Sequence, residues 1–134
     1  MARFNQRFAT GKRKGMRPII RGRKEGMNNL EEKYSKWLDS LKWEKQIVAW
    51  QFEPLGLKIA EMRCRYHPDF LVVRHDAFDF HEVKAFSKKA GKPRYEDDSM
   101  VKLKVAARQF PWFHFRMVWF DSNIGSWQDK PIVA

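Results

Sequence analysis

The chain of 134 residues contains one cysteine, Cys64. That excludes an internal disulfide and a cysteine-built zinc site, and suits a reducing cytosol. Its possible pairing with a histidine for nucleophilic catalysis is not located by any spacing. No apolar run approaches the roughly 18 residues of a membrane span, and no signal-peptide core follows the first methionine. The expected location is therefore cytoplasmic, with no membrane partner. There is no internal repeat and no glycine-rich loop of the kind that cradles phosphates. The four histidines, His67, His75, His81 and His114, lack zinc-ligand spacing and read as structural or phosphate-contacting. Acidic residues are nearly absent from one end. Residues 1–26 hold nine Lys and Arg against Glu25 alone, a net +8 of the chain's +11.

That imbalance divides the chain. The length suits one domain, and 43% hydrophobic with 15% aromatic residues supplies a modest core. Residues 1–27, with Gly11, Gly15 and Gly22, read as a basic arm, disordered when alone. Residues 28–134 read as the folded domain. A cationic arm on a near-neutral body implies a polyanionic partner, most simply nucleic acid. A solubilising tail is the plainer alternative, but it would need only charge, of either sign. Arg13, Lys14, Arg17, Arg21, Arg23 and Lys24 are the arm's candidate DNA contacts.

Beyond the arm, Leu30, Tyr34, Trp37, Leu38 and Leu41 form one apolar helical stripe. Asn28 is placed to cap that helix, with Glu31 in the capping-box position. Glu31 falls at the edge of the stripe and Glu32 nearly opposite, towards solvent. Capping and leaning into the domain are compatible roles for Glu31. Residues 47–52 and 57–62 look like strands separated by Pro54 and Gly56. Residues 86–95 read as a loop carrying Lys88, Lys89, Lys92 and Arg94, an ordinary exposed loop or a phosphate-contacting one. A second helix is expected from Asp97 or Asp98 to Phe110, burying Met100, Leu103, Ala107 and Phe110. A last strand at 113–120 places Phe113, Phe115, Met117 and Trp119 on one face. Residues 121–128 are turn-rich. Periodicity assigns Trp37 and Trp119 to the core, while Trp43 and Trp127 are open to either core packing or base stacking. The order of elements gives an α/β fold, a mixed central sheet flanked by helices.

The stretch 66–84, YHPDFLVVRHDAFDFHEVK, carries the chemistry. Two β-rich runs flank a short polar break, a hairpin signal. Alternation puts Glu82 and Lys84 on one face and Val83 on the other. Such a hairpin brings Asp69 near Glu82. Two carboxylates in a small volume suit Mg²⁺, a hard cation that takes oxygen ligands. A lysine beside them is placed to activate water. A cross-strand salt bridge is the plainer reading, since Glu-x-Lys also occurs at Glu31-Glu32-Lys33.

Pro68-Asp69, twelve residues, then Glu82-Val83-Lys84 resembles the motif of the PD-(D/E)xK nuclease superfamily. The helix Leu30-Glu31-Glu32-Lys33-Tyr34-Ser35-Lys36-Trp37-Leu38 is similar to that of the phage endonuclease I family of Holliday junction resolvases. So are residues 66–71 and 116–120, and the likeness runs in order from Leu30 to Phe120. The arm is longer than in that family and the C-terminus shorter. The resemblance implies a restriction-endonuclease-like fold, a homodimer, and a cytoplasmic site of action, that of the host if phage-encoded. It implies Mg²⁺, with Mn²⁺ as a substitute, held by Asp69, Glu82 and the Val83 carbonyl. Glu31 would be the helix acid completing a second metal position, and Lys84 the catalytic lysine. The substrate would be branched DNA, with a four-way junction as the type. A restriction-like or nicking nuclease of the same fold, or a non-catalytic basic nucleic-acid-binding protein, are the alternatives.

Overall fold

Asn28 sets the start of the first helix, α1 (Asn29–Trp43). Its side chain accepts from the Glu31 N–H at 2.8 Å, and Glu31 Oε1 accepts from the Asn28 N–H at 2.9 Å, the reciprocal capping box expected. The structure, a computed structural model, describes residues 26–94 and 97–133. The arm contacts expected between Arg13 and Lys24 lie outside these residues. Met27, the last residue of the expected arm, is buried in the core under α1.

After α1 come β1 (Ala49–Phe52), β2 (Leu57–Ala60), β3 (Cys64–Tyr66), β4 (Phe70–Val73), β5 (Phe78–Lys84), β6 (Phe86–Ser87) and β7 (Lys92–Pro93). The chain closes with α2 (Asp97–Gln109), β8 (His114–Asp121) and β9 (Ser126–Pro131). The central sheet runs β1-β4-β5-β8-β9. Among the described residues only β5 and β8 pair in parallel, as α2 carries the chain back between them. This is the mixed sheet flanked by helices that the sequence implies.

Alternation along β5 separates two cores. Phe80 faces α2, in a cluster with Leu103, Ala106, Phe115 and the β2–β3 hairpin residues Leu57, Ile59 and Tyr66. On the other face Phe70, Val72 and Val118 meet Tyr34 and Leu38 of α1. Phe70 and Leu38 are fully buried. Truncating Leu38 to alanine would cost about 2–5 kcal/mol.

Several expectations need correction. Residues 61–62 are not strand, because β2 ends in a tight turn and returns as β3, which the sequence reading missed. The 86–95 segment contains a two-residue hairpin, β6 with β7. The turn-rich end leads into a six-residue edge strand, β9, paired with β8 along its whole length. Trp37, assigned to the core by periodicity, is 42% exposed and lines an open cleft. Trp127 packs against the α1 core, and Trp43 is exposed. Glu32 is half-buried rather than turned to solvent.

Candidate active site

The hairpin places the motif on the α2 face. Asp69 precedes β4, where its Oδ2 accepts from the Val83 N–H at 2.8 Å. That bond ties it to β5 beyond the end of the β4–β5 ladder, whose last pair is Phe70 with His81. The N–H and C=O of one strand residue point to the same side, so the Val83 carbonyl lies on the strand edge that Asp69 occupies. Glu82 and Lys84 share a face, as alternation requires, with Lys84 Nζ 3.4 Å from Glu82 Oε2. Lys84 is buried and donates to Ser99 Oγ of α2 at 2.6 Å. Tyr66 donates its phenol to Glu82 Oε1 at 2.7 Å.

Electrostatics join the acids. Burial and then the Glu82 charge push the Asp69 carboxyl up to about 8, with Glu31 adding to the same effect. The Val83 N–H and Lys84 work against the rise without cancelling it. Glu31, from the N-terminal turn of α1, is thus near enough to be felt while it caps the helix. Burial, followed by the Glu82 charge, also lifts the Tyr66 phenol well above its ordinary value, which keeps it a hydrogen-bond donor.

Among the described residues no three Asp, Glu, His or Cys side chains form a ready metal cage. Two carboxylates and a strand carbonyl are what the site presents. Burial first, and then the charge of Glu82, make this aspartate hard to ionise, and a cation bound between the two carboxylates would relieve both. Oxygen donors so placed fit a hard divalent cation. Lys88, Lys89, Lys92 and Arg94 are all exposed on or beside the β6–β7 hairpin, directly after Lys84.

No protein-family model matches the chain. A search of curated proteins likewise gives no match. Among solved structures, the fold is similar to that of Hjc, a Holliday junction resolvase from the archaeal hyperthermophile Archaeoglobus fulgidus. The two chains share 19% identity over 75% of each, at a TM-score of 0.49. By itself that match decides neither the fold nor the chemistry, which rest on the residues above.

Sequence reasoning missed two parts of the site, Tyr66 and Ser99. Tyr66 had a signal in its position three residues before Asp69, but its pairing with Glu82 spans 16 residues. Ser99 carries no signal in its neighbours. Also missed was a polar cluster on the opposite, α1 face, centred on Asp79, which is fully buried. Its Oδ2 lies 3.3 Å from both Arg74 and His81 and 3.5 Å from Arg116. Burial alone would raise this carboxyl, but His81, Arg74 and Arg116 outweigh it and hold it below the usual range. His81 also meets the Tyr34 hydroxyl at 2.6 Å. Of the four histidines, His81 and His114 thus join this network, and His114 Nδ1 lies 3.3 Å from Asp79. A cleft of about 510 Å³ opens above the cluster.

Proposed function

We propose that this chain is a Mg²⁺-dependent endodeoxyribonuclease of the PD-(D/E)xK type, acting on branched DNA and most directly on four-way junctions. The observation that carries the reading is that Asp69, tied to the Val83 N–H, lies beside the Glu82–Lys84 pair, with burial and then the Glu82 charge pushing its carboxyl up to about 8. A salt bridge alone needs Glu82 and Lys84. It gives no reason to bury a second carboxylate beside them, which is costly.

Asp69, Glu82 and the Val83 carbonyl are the groups that would hold Mg²⁺, with Glu31 as the further acid. Mn²⁺, of similar preference for oxygen, substitutes. When bound, the ion supplies Lewis-acid stabilisation of the charge that builds on the scissile phosphate. The chain's own groups do the rest. Val83 fixes Asp69 through its N–H, and Tyr66 fixes Glu82. Lys84, held by Ser99 and Glu82, orients the attacking water and manages its proton. The arm and the cations at 88–94 neutralise phosphates, contacts that position DNA without reading its sequence. The protein works as a homodimer, so that two sites meet the two strands to be cut. The motif resemblance supports the branched substrate.

A cleavage assay with Mg²⁺ on supercoiled plasmid and on a synthetic four-way junction tests this. Wild type should cut the junction in preference. Asp69→Ala and Glu82→Ala should bind it and leave it whole. Cutting by either variant near the wild-type rate would refute the site. Binding without any metal-dependent cutting by wild type would leave a non-catalytic DNA-binding protein, and equal cutting of plasmid a nicking nuclease.

A further inference from the structure

The β2–β3 hairpin stands apart from the central sheet, and its turn is built at a cost. Glu61, Met62, Arg63 and Cys64 form it, closed by the Cys64 N–H donating to the Glu61 carbonyl at 3.3 Å. Met62 and Arg63 both sit at φ 62°, in the left-handed region. Turns of this kind favour Asn-Gly, because a side chain there costs about 1–2 kcal/mol per residue. Met62 is also 95% exposed, more than any other large apolar side chain among the described residues. Neither folding nor packing explains a methionine at this tip.

The hairpin's charge is arranged the same way. Its inner side chains, Leu57, Ile59 and Tyr66, are buried against α2. On its outer face Lys58 and Arg65 stand directly opposite each other, both exposed. Like charges facing across two strands destabilise the pair. Glu61 answers Lys58 at 3.4 Å, and Arg63 adds another exposed cation at the turn. The base is rigidly placed. A Cβ on Gly56 would fall 2.6 Å from the His67 ring, so the chain closes tightly where the hairpin begins and ends. Gln109 of α2 donates to the Ile59 carbonyl at 2.9 Å. Tyr66, at that base, holds Glu82.

We propose that this hairpin is a DNA wedge: Met62 enters the base stack at the distorted step of a branched duplex while Lys58, Arg63 and Arg65 grip the flanking phosphates. This rests on the nuclease reading for its substrate. Proteins that unstack DNA use apolar wedges of this kind, methionine among them, beside cations. From Tyr66 to Met62 is four residues, the last two in the turn, so the reach is at most roughly 13 Å. At 3.4 Å per nucleotide that places the opened step within about four nucleotides of the phosphate at Glu82. A branch point, already partly unstacked, opens at lower cost than a continuous duplex. The wedge therefore selects for branched DNA without reading bases.

The test uses the full-length chain and a four-way junction with 2-aminopurine beside the branch, in Ca²⁺ to limit cutting. Wild type should raise the fluorescence on binding. Met62→Asn, whose side chain suits a left-handed turn, should bind with little rise and, at saturation in Mg²⁺, cut about tenfold more slowly. Met62→Leu should restore both. If Met62→Asn matches wild type in fluorescence and rate, the wedge is wrong. If wild type cuts nothing, the nuclease reading fails, yet a fluorescence rise that Met62→Asn abolishes still upholds the wedge.

Discussion

Replacing Asp69 with asparagine should make the metal-free protein more stable while destroying its activity. Burial and the Glu82 charge push the native carboxyl up to about 8, from an ordinary value of 3.8. Between those values the folded state holds a proton that the unfolded chain has lost. Stability therefore falls as pH rises through that window and is lowest above it. At about 1.4 kcal/mol per pH unit, the gap sets a ceiling of roughly 6 kcal/mol. Asp69 is only half-buried, and solvent screening lowers the realised penalty to on the order of 2 kcal/mol. Asparagine keeps an oxygen for the Val83 N–H and removes the charge. In EDTA at pH 8, Asp69→Asn should melt roughly 10 °C above wild type, and the difference should vanish near pH 4. Mg²⁺ at a hundred times its dissociation constant should stabilise wild type by about 2.7 kcal/mol and the variant much less. Scanning calorimetry at both pH values, with and without Mg²⁺, decides it. A variant no more stable than wild type at pH 8, or equal Mg²⁺ stabilisation of both, would refute the reasoning.

Other perturbations separate the chain's parts. Glu31→Gln should slow single-turnover cleavage by orders of magnitude with little loss of melting temperature, since glutamine also serves in a capping box; equal effects of Glu32→Gln would show that position in the helix, not metal binding, matters. Deleting residues 1–26 should weaken DNA binding and flatten its salt dependence by about 0.9 per lost phosphate contact, while saturating enzyme at low salt still cuts. An unchanged salt slope would reduce the arm to a solubilising tail. Asp79→Asn should cost on the order of 3 kcal/mol by denaturant melting, because it strips a buried carboxylate from Arg74 and Arg116. The Asp79 contribution should fade as pH falls below the usual carboxylate range, since this group is held low. Its cleavage rate at saturation should stay near that of wild type, the cluster being on the opposite face of the sheet.

What the sequence made legible was local or periodic. The capping box spans three residues, and the Glu82–Lys84 pair two, so both follow from backbone geometry alone. The approach of Asp69 to Glu82 needed only the assumption that β4 and β5 form a hairpin. The parts that stayed hidden are held by distant partners. β9 has little apolar alternation and ends in Asp129, Lys130 and Pro131; it is a strand because β8 offers it an unpaired edge, with Trp127 as its inward anchor. Charge and proline are also what keep an outer edge from pairing further. The Asp79 cluster draws on α1, β5, β8 and the β4–β5 connection, and no spacing within any one of them announces it. Trp37 shows how such a cluster misleads a helical stripe. Its position on α1 is that of a core residue, but it lines an open cleft in which Asp79, His81 and Arg116 stand beside Val72 and Val118. Periodicity reports which side of a helix faces the sheet. It does not report what that sheet presents there, and both beside Asp69 and Glu82 and around Asp79 the sheet presents charge.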